Sequence, residues 1–176
     1  MFRMFVSEIY AIEDCLYYNT TEVTLGSRNS SKIYDSNLEL AFPSKCEISF
    51  DYQSVKSGNG GQHRYFIMPK TMYNSSTTQP NYGLWSDHET NQNKIGFGVR
   101  DNNSTVSHVS DPTTIGNWDN AKWVKDGTSV KVYYNDALKT TQTLSWINNY
   151  SNYCFSMMIW SAQGTSHLKN VKVKSL

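Results

Sequence analysis

Two pairs of carboxylates in this chain invite an acid–base reading. Glu47 and Asp51 lie four residues apart in Cys46-Glu-Ile-Ser-Phe-Asp-Tyr-Gln53, on one side of any extended strand. At about 3.3 Å per residue their Cα atoms stand ~13 Å apart, too far for an acid and a nucleophile flanking one glycosidic bond. A solvated strand face is the preferred reading. Asp87 and Glu89 enclose His88 in the polar run Asp87-His-Glu-Thr-Asn-Gln92, which reads as a turn. With no nucleophile or oxyanion donor placed beside them, turn chemistry is expected there too. G-x-S-x-G, H-E-x-x-H and a phosphate-cradling glycine loop do not occur.

The four histidines are isolated, so a zinc site is not expected. Cys15, Cys46 and Cys154 form no C-x-x-C pair, and each sits in an apolar stretch that suits a buried thiol, with one bridged pair left open. Calcium is the one metal with a candidate ligand set, the oxygens of Asp101, Asn103 and Asp111. Acidic and amide residues fill loops anyway, so no cofactor is the preferred expectation.

Aromatic rings are the remaining chemistry, because sugars hide apolar C–H faces against them. Trp85 alternates out of phase with Tyr82 and Leu84. If those two face the core, Trp85 faces the other side, shared with Gly96, Gly98 and Arg100 of Asn93–Arg100. Two glycines on one strand face leave a shallow strip that a ligand or backbone can approach closely. Trp118, between Asn117 and Asp119 in a polar loop, and Tyr73, in the loop 70–81, are further candidates. Together with Asp87 and His88 they make up the expected ligand-binding set, although for each ring a partly buried loop anchor is an equal reading. Trp123 and Trp160 are assigned to the core.

These residues need strands to position them, and the chain supplies strands almost throughout. Short β segments recur about every ten residues between turn clusters, the pattern of a sandwich or barrel. In residues 46–53, Ile48, Phe50 and Tyr52 point one way and Glu47, Ser49, Asp51 and Gln53 the other. Ser57–Gln62 reads as a turn, His63–Met68 as a returning strand, and Tyr82–Asp87 and Asn93–Arg100 as two more. Asp101–Asp119 reads as a loop. Asp126-Gly127 and Asn135-Asp136 mark two consecutive hairpins. Residues 153–161 are apolar on both faces, which predicts a central strand or an interface wall, and residues 168–176 alternate as a last strand. Ser7–Leu16 carries helical spacing, but its β-favouring continuation makes strand the preferred reading. The domain is expected over 13–176, with 1–12 as an extension or lead-in strand.

Charge is low, 18% of residues with a net +1, and lysines are scattered, which excludes a nucleic-acid stripe. No apolar run is long enough to cross a bilayer, and the start does not read as a signal peptide.

The run Trp123-x-x-x-x-Asp-Gly-Thr-x-Val-x-Val-Tyr-Tyr-Asn135 resembles the hairpin of concanavalin A-like domains of the laminin-G and lectin–glucanase type. Phe50-Asp-Tyr52 resembles their early strand, and Leu168-Lys-Asn-Val-Lys-Val173 is similar to their last one, which pairs back near the beginning. The resemblance implies an all-β fold, a two-sheet antiparallel jelly-roll sandwich. It also implies a binding role, since the glucanase branch carries Glu-x-Asp-x-x-Glu on one strand and this chain does not. The opening Glu13-Asp-Cys-Leu-Tyr-Tyr-Asn-Thr-Thr21 resembles modules of bacterial or archaeal virus tails and fibres. That implies a virion or extracellular location, with a cell-surface glycan or other virion subunits as partner. A purely structural module, such as a homotrimer, and a hydrolase with an unrecognised carboxylate pair are the alternatives.

Overall fold

Which side chains alternate inward decides how two sheets meet. The computed structural model describes residues 15–19, 22–25, 32–40, 42–56, 61–72, 81–90, 92–102, 104–160 and 164–176, with backbone alone at 15–19, 23, 25, 32–40, 105–109, 156 and 158–160. The strands are β1 Cys15–Asn19, β2 Val23–Leu25, β3 Lys32–Leu40, β4 Lys45–Lys56, β5 Gln62–Pro69, β6 Gly83–Glu89, β7 Lys94–Asp101, β8 Ser104–Pro112, β9 Trp118–Asp126, β10 Ser129–Tyr134, β11 Ala137–Thr143, β12 Tyr153–Trp160 and β13 Gly164–Ser175. A 3-10 turn, Lys70–Met72, follows β5 directly.

All pairings between these strands are antiparallel. One sheet has seven strands in the order β1-β13-β4-β9-β10-β11, with β2 also on β13; the other has six, β3-β12-β5-β6-β7-β8. This is the expected two-sheet jelly roll. The last strand does return to the beginning, since β13 pairs with β1, β2 and β4.

The core lies between the sheets. Cys46, Ile48, Phe50 and Tyr52 of β4 are buried, while Glu47, Ser49 and Asp51 are half-buried on the reverse. Phe50 sits at the centre, edge-on to Trp123 at 5.2 Å and to Phe155 at 4.9 Å between ring centroids. Such edge-to-face pairs add to the burial of the rings themselves. Trp123 is therefore core, as its place before the hairpin implies. Cys46 and Cys154 are buried free thiols, and burial pushes Cys46 up to about 11.

Both hairpins form where expected. Gly127 (φ 59°) turns β9 into β10, and Asn135 and Asp136 (φ 47° and 64°) turn β10 into β11. A two-residue turn with both φ values positive matches strand twist, and Asn and Asp tolerate that region. Asn135 also works through its side chain: its Oδ1 accepts from the Asn120 N–H at 2.8 Å, and its Nδ2 donates to Asp119 at 2.8 Å. At Gly164 (φ 127°) an added Cβ would lie 1.9 Å from the Val55 carbonyl oxygen, so only glycine fits where β13 starts along β4.

Three expectations change. The expected loop 101–119 contains β8, whose polar sequence Ser-Thr-Val-Ser-His-Val-Ser-Asp-Pro gains its hydrogen bonds from β7. β3 is a strand that no alternation announced. β6 runs on through His88 to Glu89 instead of ending at Asp87, because β5 and β7 flank it along its whole length. Residues 57–60 of the expected Ser57–Gln62 turn, the 1–12 extension and the Trp160 side chain lie outside the described residues, and Gln62 already opens β5. β12 lies inside its sheet, between β3 and β5.

A polar layer interrupts the apolar core. His63 and His88 are direct cross-strand partners in the six-stranded sheet, and Ser54 and Ser166 are direct partners in the facing one. His63 Nδ1 hydrogen-bonds with Ser166 Oγ at 2.7 Å, and His88 Nδ1 with Ser54 Oγ at 2.8 Å, so two bonds cross the sandwich side by side. His88 Nε2 continues to Asp119 Oδ2 at 2.9 Å, and Thr113 and Asn135 also donate to that carboxylate. Burial pushes Asp119 up, but these hydrogen bonds outweigh it and hold the carboxyl below its ordinary value.

His63 has no carboxylate in reach of its Nδ1 or Nε2 bonding. Burial, and then the charge of His88 opposite, hold it down to about 4. The unfolded chain therefore takes up a proton near pH 6.5 that the native state refuses until about pH 4. Stability is complete above 6.5 and falls through that window, by about 3 kcal/mol at its lower end. Urea midpoints across the window should show this fall, and His63→Asn should flatten it. An unchanged slope in that variant would contradict the assignment.

Candidate functional site

The face expected to bind is the reverse of the six-stranded sheet, and alternation places its residues as anticipated. Leu84, Ile95, Phe97 and Val99 join the inter-sheet core, so Trp85, Gly96, Gly98 and Arg100 point away from it. The face is not an open platform, however. Trp85 is 1% exposed and packs with Phe66, Met68 and Cys154 in a second apolar cluster. Its indole fills the glycine strip: a Cβ on Gly98 would fall 1.9 Å from the ring. Trp85 Nε1 donates to Asp87 Oδ2 at 3.2 Å, and the Arg64 guanidinium lies over the ring at 4.9 Å with its Nε 3.6 Å from the same carboxylate. Arg100 is 7% exposed on this face, and desolvation lowers the pKa of both guanidiniums, opposed at Arg64 by Asp87. Trp85 and Gly98 thus hold each other in place, and the strip that suggested a ligand groove is occupied by the protein's own ring.

Asp87, His88 and Glu89 are strand residues, which changes their geometry. Asp87 and Glu89 share the reverse face with Trp85, while His88 points the other way into the polar layer, fully buried. His88 is therefore not beside Asp87 as a ligand contact. The row reads Trp85-x-Asp87-x-Glu89, which does not carry the Glu-x-Asp-x-x-Glu spacing. Trp118 opens β9 rather than lying in a loop, half-buried on the reverse of the seven-stranded sheet, with Lys169 Nζ 3.7 Å from its ring centroid. The proposed calcium ligands do not converge. Asp101 and Asp111 are separated by about six residues of β7 register, ~20 Å, and Asp111 pairs with Lys139 at 3.2 Å. Among the described residues no group of three or more His, Cys, Asp or Glu could hold a metal. Tyr73 and Asn103 lie outside the described residues.

The structure assembles a different site, between the 3-10 turn and the loop before β12. Lys70, Thr71, Asn149, Tyr150, Ser151 and Asn152 line a pocket of about 240 Å³. Every lining side chain carries a hydrogen-bonding group, and one of them also carries a ring. Its two walls are clamped together by the Lys70 N–H donating to the Asn152 carbonyl at 3.0 Å. The segments on either side of 148–152 are anchored in the core: Trp146 and Ile147 are buried, and the Tyr153 hydroxyl donates to the Ile147 carbonyl. Tyr150 packs edge-on to Tyr153 at 6.4 Å and tilted on Tyr82 at 6.1 Å, and Tyr82 packs on Trp146 at 5.6 Å. No sequence motif marks this pocket, because its halves are nearly eighty residues apart; the dense amide run Asn148-Asn-Tyr-Ser-Asn152 was the available signal. A larger pocket, about 410 Å³, lies by Lys45, Val124, Lys131 and Leu176. It has no aromatic lining, and its Lys45 is paired with Asp126 at 3.4 Å.

No known protein family and no curated protein sequence matches this chain. Solved structures do. The carbohydrate-binding module CBM66 from Bacillus subtilis is 16% identical with a TM-score of 0.60, over 89% of this chain and 97% of that one. A β-glucanase from Bacillus licheniformis is 13% identical with a TM-score of 0.59, over 88% and 78%. An endo-β-1,3-glucanase from Pyrococcus furiosus is 11% identical with a TM-score of 0.59, over 82% and 65%. At such identities the likeness shows the fold alone, a two-sheet jelly-roll β-sandwich.

The interlock of Trp85 with Gly98 can be tested without any ligand. Gly98→Ala should cost about 1–3 kcal/mol by overpacking, and Trp85→Ala about 3–5 kcal/mol by leaving a cavity. In the Trp85→Ala background the Gly98→Ala cost should largely vanish, a coupling read by a double-mutant cycle in urea. Additive costs would mean that the two sites do not touch.

Proposed function

We propose that this domain is a non-catalytic carbohydrate-binding module whose sugar subsite is the pocket of Lys70, Thr71, Asn149, Tyr150, Ser151 and Asn152. The observation that carries the reading is the composition of that pocket: amides, hydroxyls, an ammonium and one tyrosine around a space of about 240 Å³. Sugar recognition needs convergent donors and acceptors for hydroxyl groups and an aromatic surface for C–H faces. A pre-clamped backbone keeps the ordering cost of binding low. The fold is one that a carbohydrate-binding module also uses, which makes the role compatible with the scaffold.

The non-catalytic half rests on carboxylates. None lines the pocket, and the sequence holds no Glu-x-Asp-x-x-Glu row. We further propose that the module acts outside the cell, displayed on a virion or similar particle; the likeness of Glu13–Thr21 to tail and fibre modules supports this, and the polar surface suits it.

At about −0.3 kcal/mol per non-hydrogen atom, a single hexose in such a pocket gains about −4 kcal/mol, a Kd near ~1 mM. Detection therefore needs multivalent display. On a glycan array at moderate salt the wild-type domain should bind a subset of neutral glycans. Tyr150→Ala and the more exposed Asn149→Ala should each weaken that binding about tenfold, with circular dichroism unchanged. Undiminished binding in both variants, or none by wild type, would contradict the proposal.

A further inference from the structure

The reverse of the seven-stranded sheet is the domain's basic face. Its inward positions carry the core, so its outward positions fall into straight rows set by strand register. One row runs Lys172, Ser49, Lys122, Tyr133 across β13, β4, β9 and β10. The next runs Lys174, Glu47, Val124, Lys131, and on the other side lie His167, Gln53 and Trp118. Outward positions of these four strands hold six lysines (45, 122, 131, 169, 172, 174) against three carboxylates, Glu47, Asp51 and Asp126. Within the rows lysines outnumber carboxylates two to one, while Glu22 beside His167 and Asp136 beside Lys122 add two acids at the margin.

Two rings lie among the lysines, each under an ammonium: Lys169 over Trp118 at 3.7 Å and Lys122 over Tyr133 at 5.0 Å. Asp51 accepts from Asn120 at 2.8 Å and Asn170 at 2.6 Å, which leaves it charged, and Lys45 and Asp126 offset each other. Lys122 also meets Asp136, on the adjoining turn, at 2.8 Å. Lys172 and Lys122 lie two strand spacings apart, about 10 Å, and Lys174 and Lys131 three, about 14 Å, beside the pocket at Lys45, Val124 and Lys131.

We propose that this face docks an acidic polysaccharide, one bearing uronate carboxylates or sulfate esters, along the lysine rows. Charge complementarity favours a sparsely charged polymer. Duplex nucleic acid presents one charge per ~1.7 Å, and the interleaved Glu47, Asp51 and Asp126 would repel so dense an array. Sugar rings between the charges find Trp118 and Tyr133 at the same level. The inference rests on the glycan-binding reading and extends it. A pocket of millimolar affinity gains when a second contact holds the same chain, because the second event becomes intramolecular.

Biolayer interferometry at low salt, with immobilised polygalacturonate, dextran sulfate, unmodified dextran and duplex DNA, tests it. Binding to either acidic glycan, weakened by added salt and at least about tenfold by Lys122→Gln/Lys172→Gln, is expected. Polygalacturonate or dextran sulfate as the better ligand identifies carboxylate or sulfate as the recognised group. Equal binding to unmodified dextran, tighter binding to DNA, no acidic-glycan binding, or retention in the double variant would each overturn it. The two readings separate by ligand and salt, the pocket being read with neutral sugars at moderate salt and this face with polyanions at low salt.

Discussion

Hydrogen bonds that cross the sandwich, among them His63 to Ser166 and His88 to Ser54, hold the two sheets in one relative position. The partners in these two bonds are paired within each sheet as well, which closes a square of four residues. Apolar contact alone is non-directional and would let the sheets slide by small amounts. Buried polar groups do not slide, because each loses its partner and is left desolvated. The strands so tied are the ones both proposed contact regions depend on. β5 leads straight into Lys70, while β4 and β13 carry most of the lysine rows. Asp119 extends the tie to β9 and, through Asn135, to the β10–β11 turn.

The contrast between the reverse faces of the two sheets follows from what their outward side chains can do. On β6 and β7 the outward residues are an indole, two glycines and charged groups that pair locally, so that Trp85, Asp87 and Arg64 satisfy one another. On β4, β9 and β13 the outward residues are mainly lysines and amides, whose ion pairs and ring contacts lie at the surface rather than buried beneath it. A domain with few charges can still be electrostatically polarised when register puts like charges in line.

Alternation in β4, the turn residues Gly127 and Asn135-Asp136, and the returning final strand were legible in the amino-acid sequence, because each is a local rule with a period or a φ requirement. So was the direction of Trp85, from its phase against Leu84. Its burial was not, since period two says which face a residue takes and nothing about what lies on that face. β8 and the end of β6 were missed for a related reason. Ser-Thr-Val-Ser-His and Asp-His-Glu are strands through their neighbours' hydrogen bonds, against weak propensity of their own. The Tyr150 pocket was out of reach, because a 3-10 turn and a distant loop meet only through tertiary pairing. Asp101 and Asp111, ten residues apart in sequence, stand at opposite ends of the β7–β8 ladder, a separation that the reading of 101–119 as a loop did not show.

The central claim is that sugar enters the space between residues 70–72 and 149–152. An NMR titration of the isotope-labelled domain with a neutral sugar selected from its glycan binding tests this most directly. The account predicts saturable shift changes at Thr71, Asn149, Ser151 and Asn152, with the β6 and β7 amides still. Shifts confined to the Trp85 and Gly98 face, or none at saturating sugar, would contradict it.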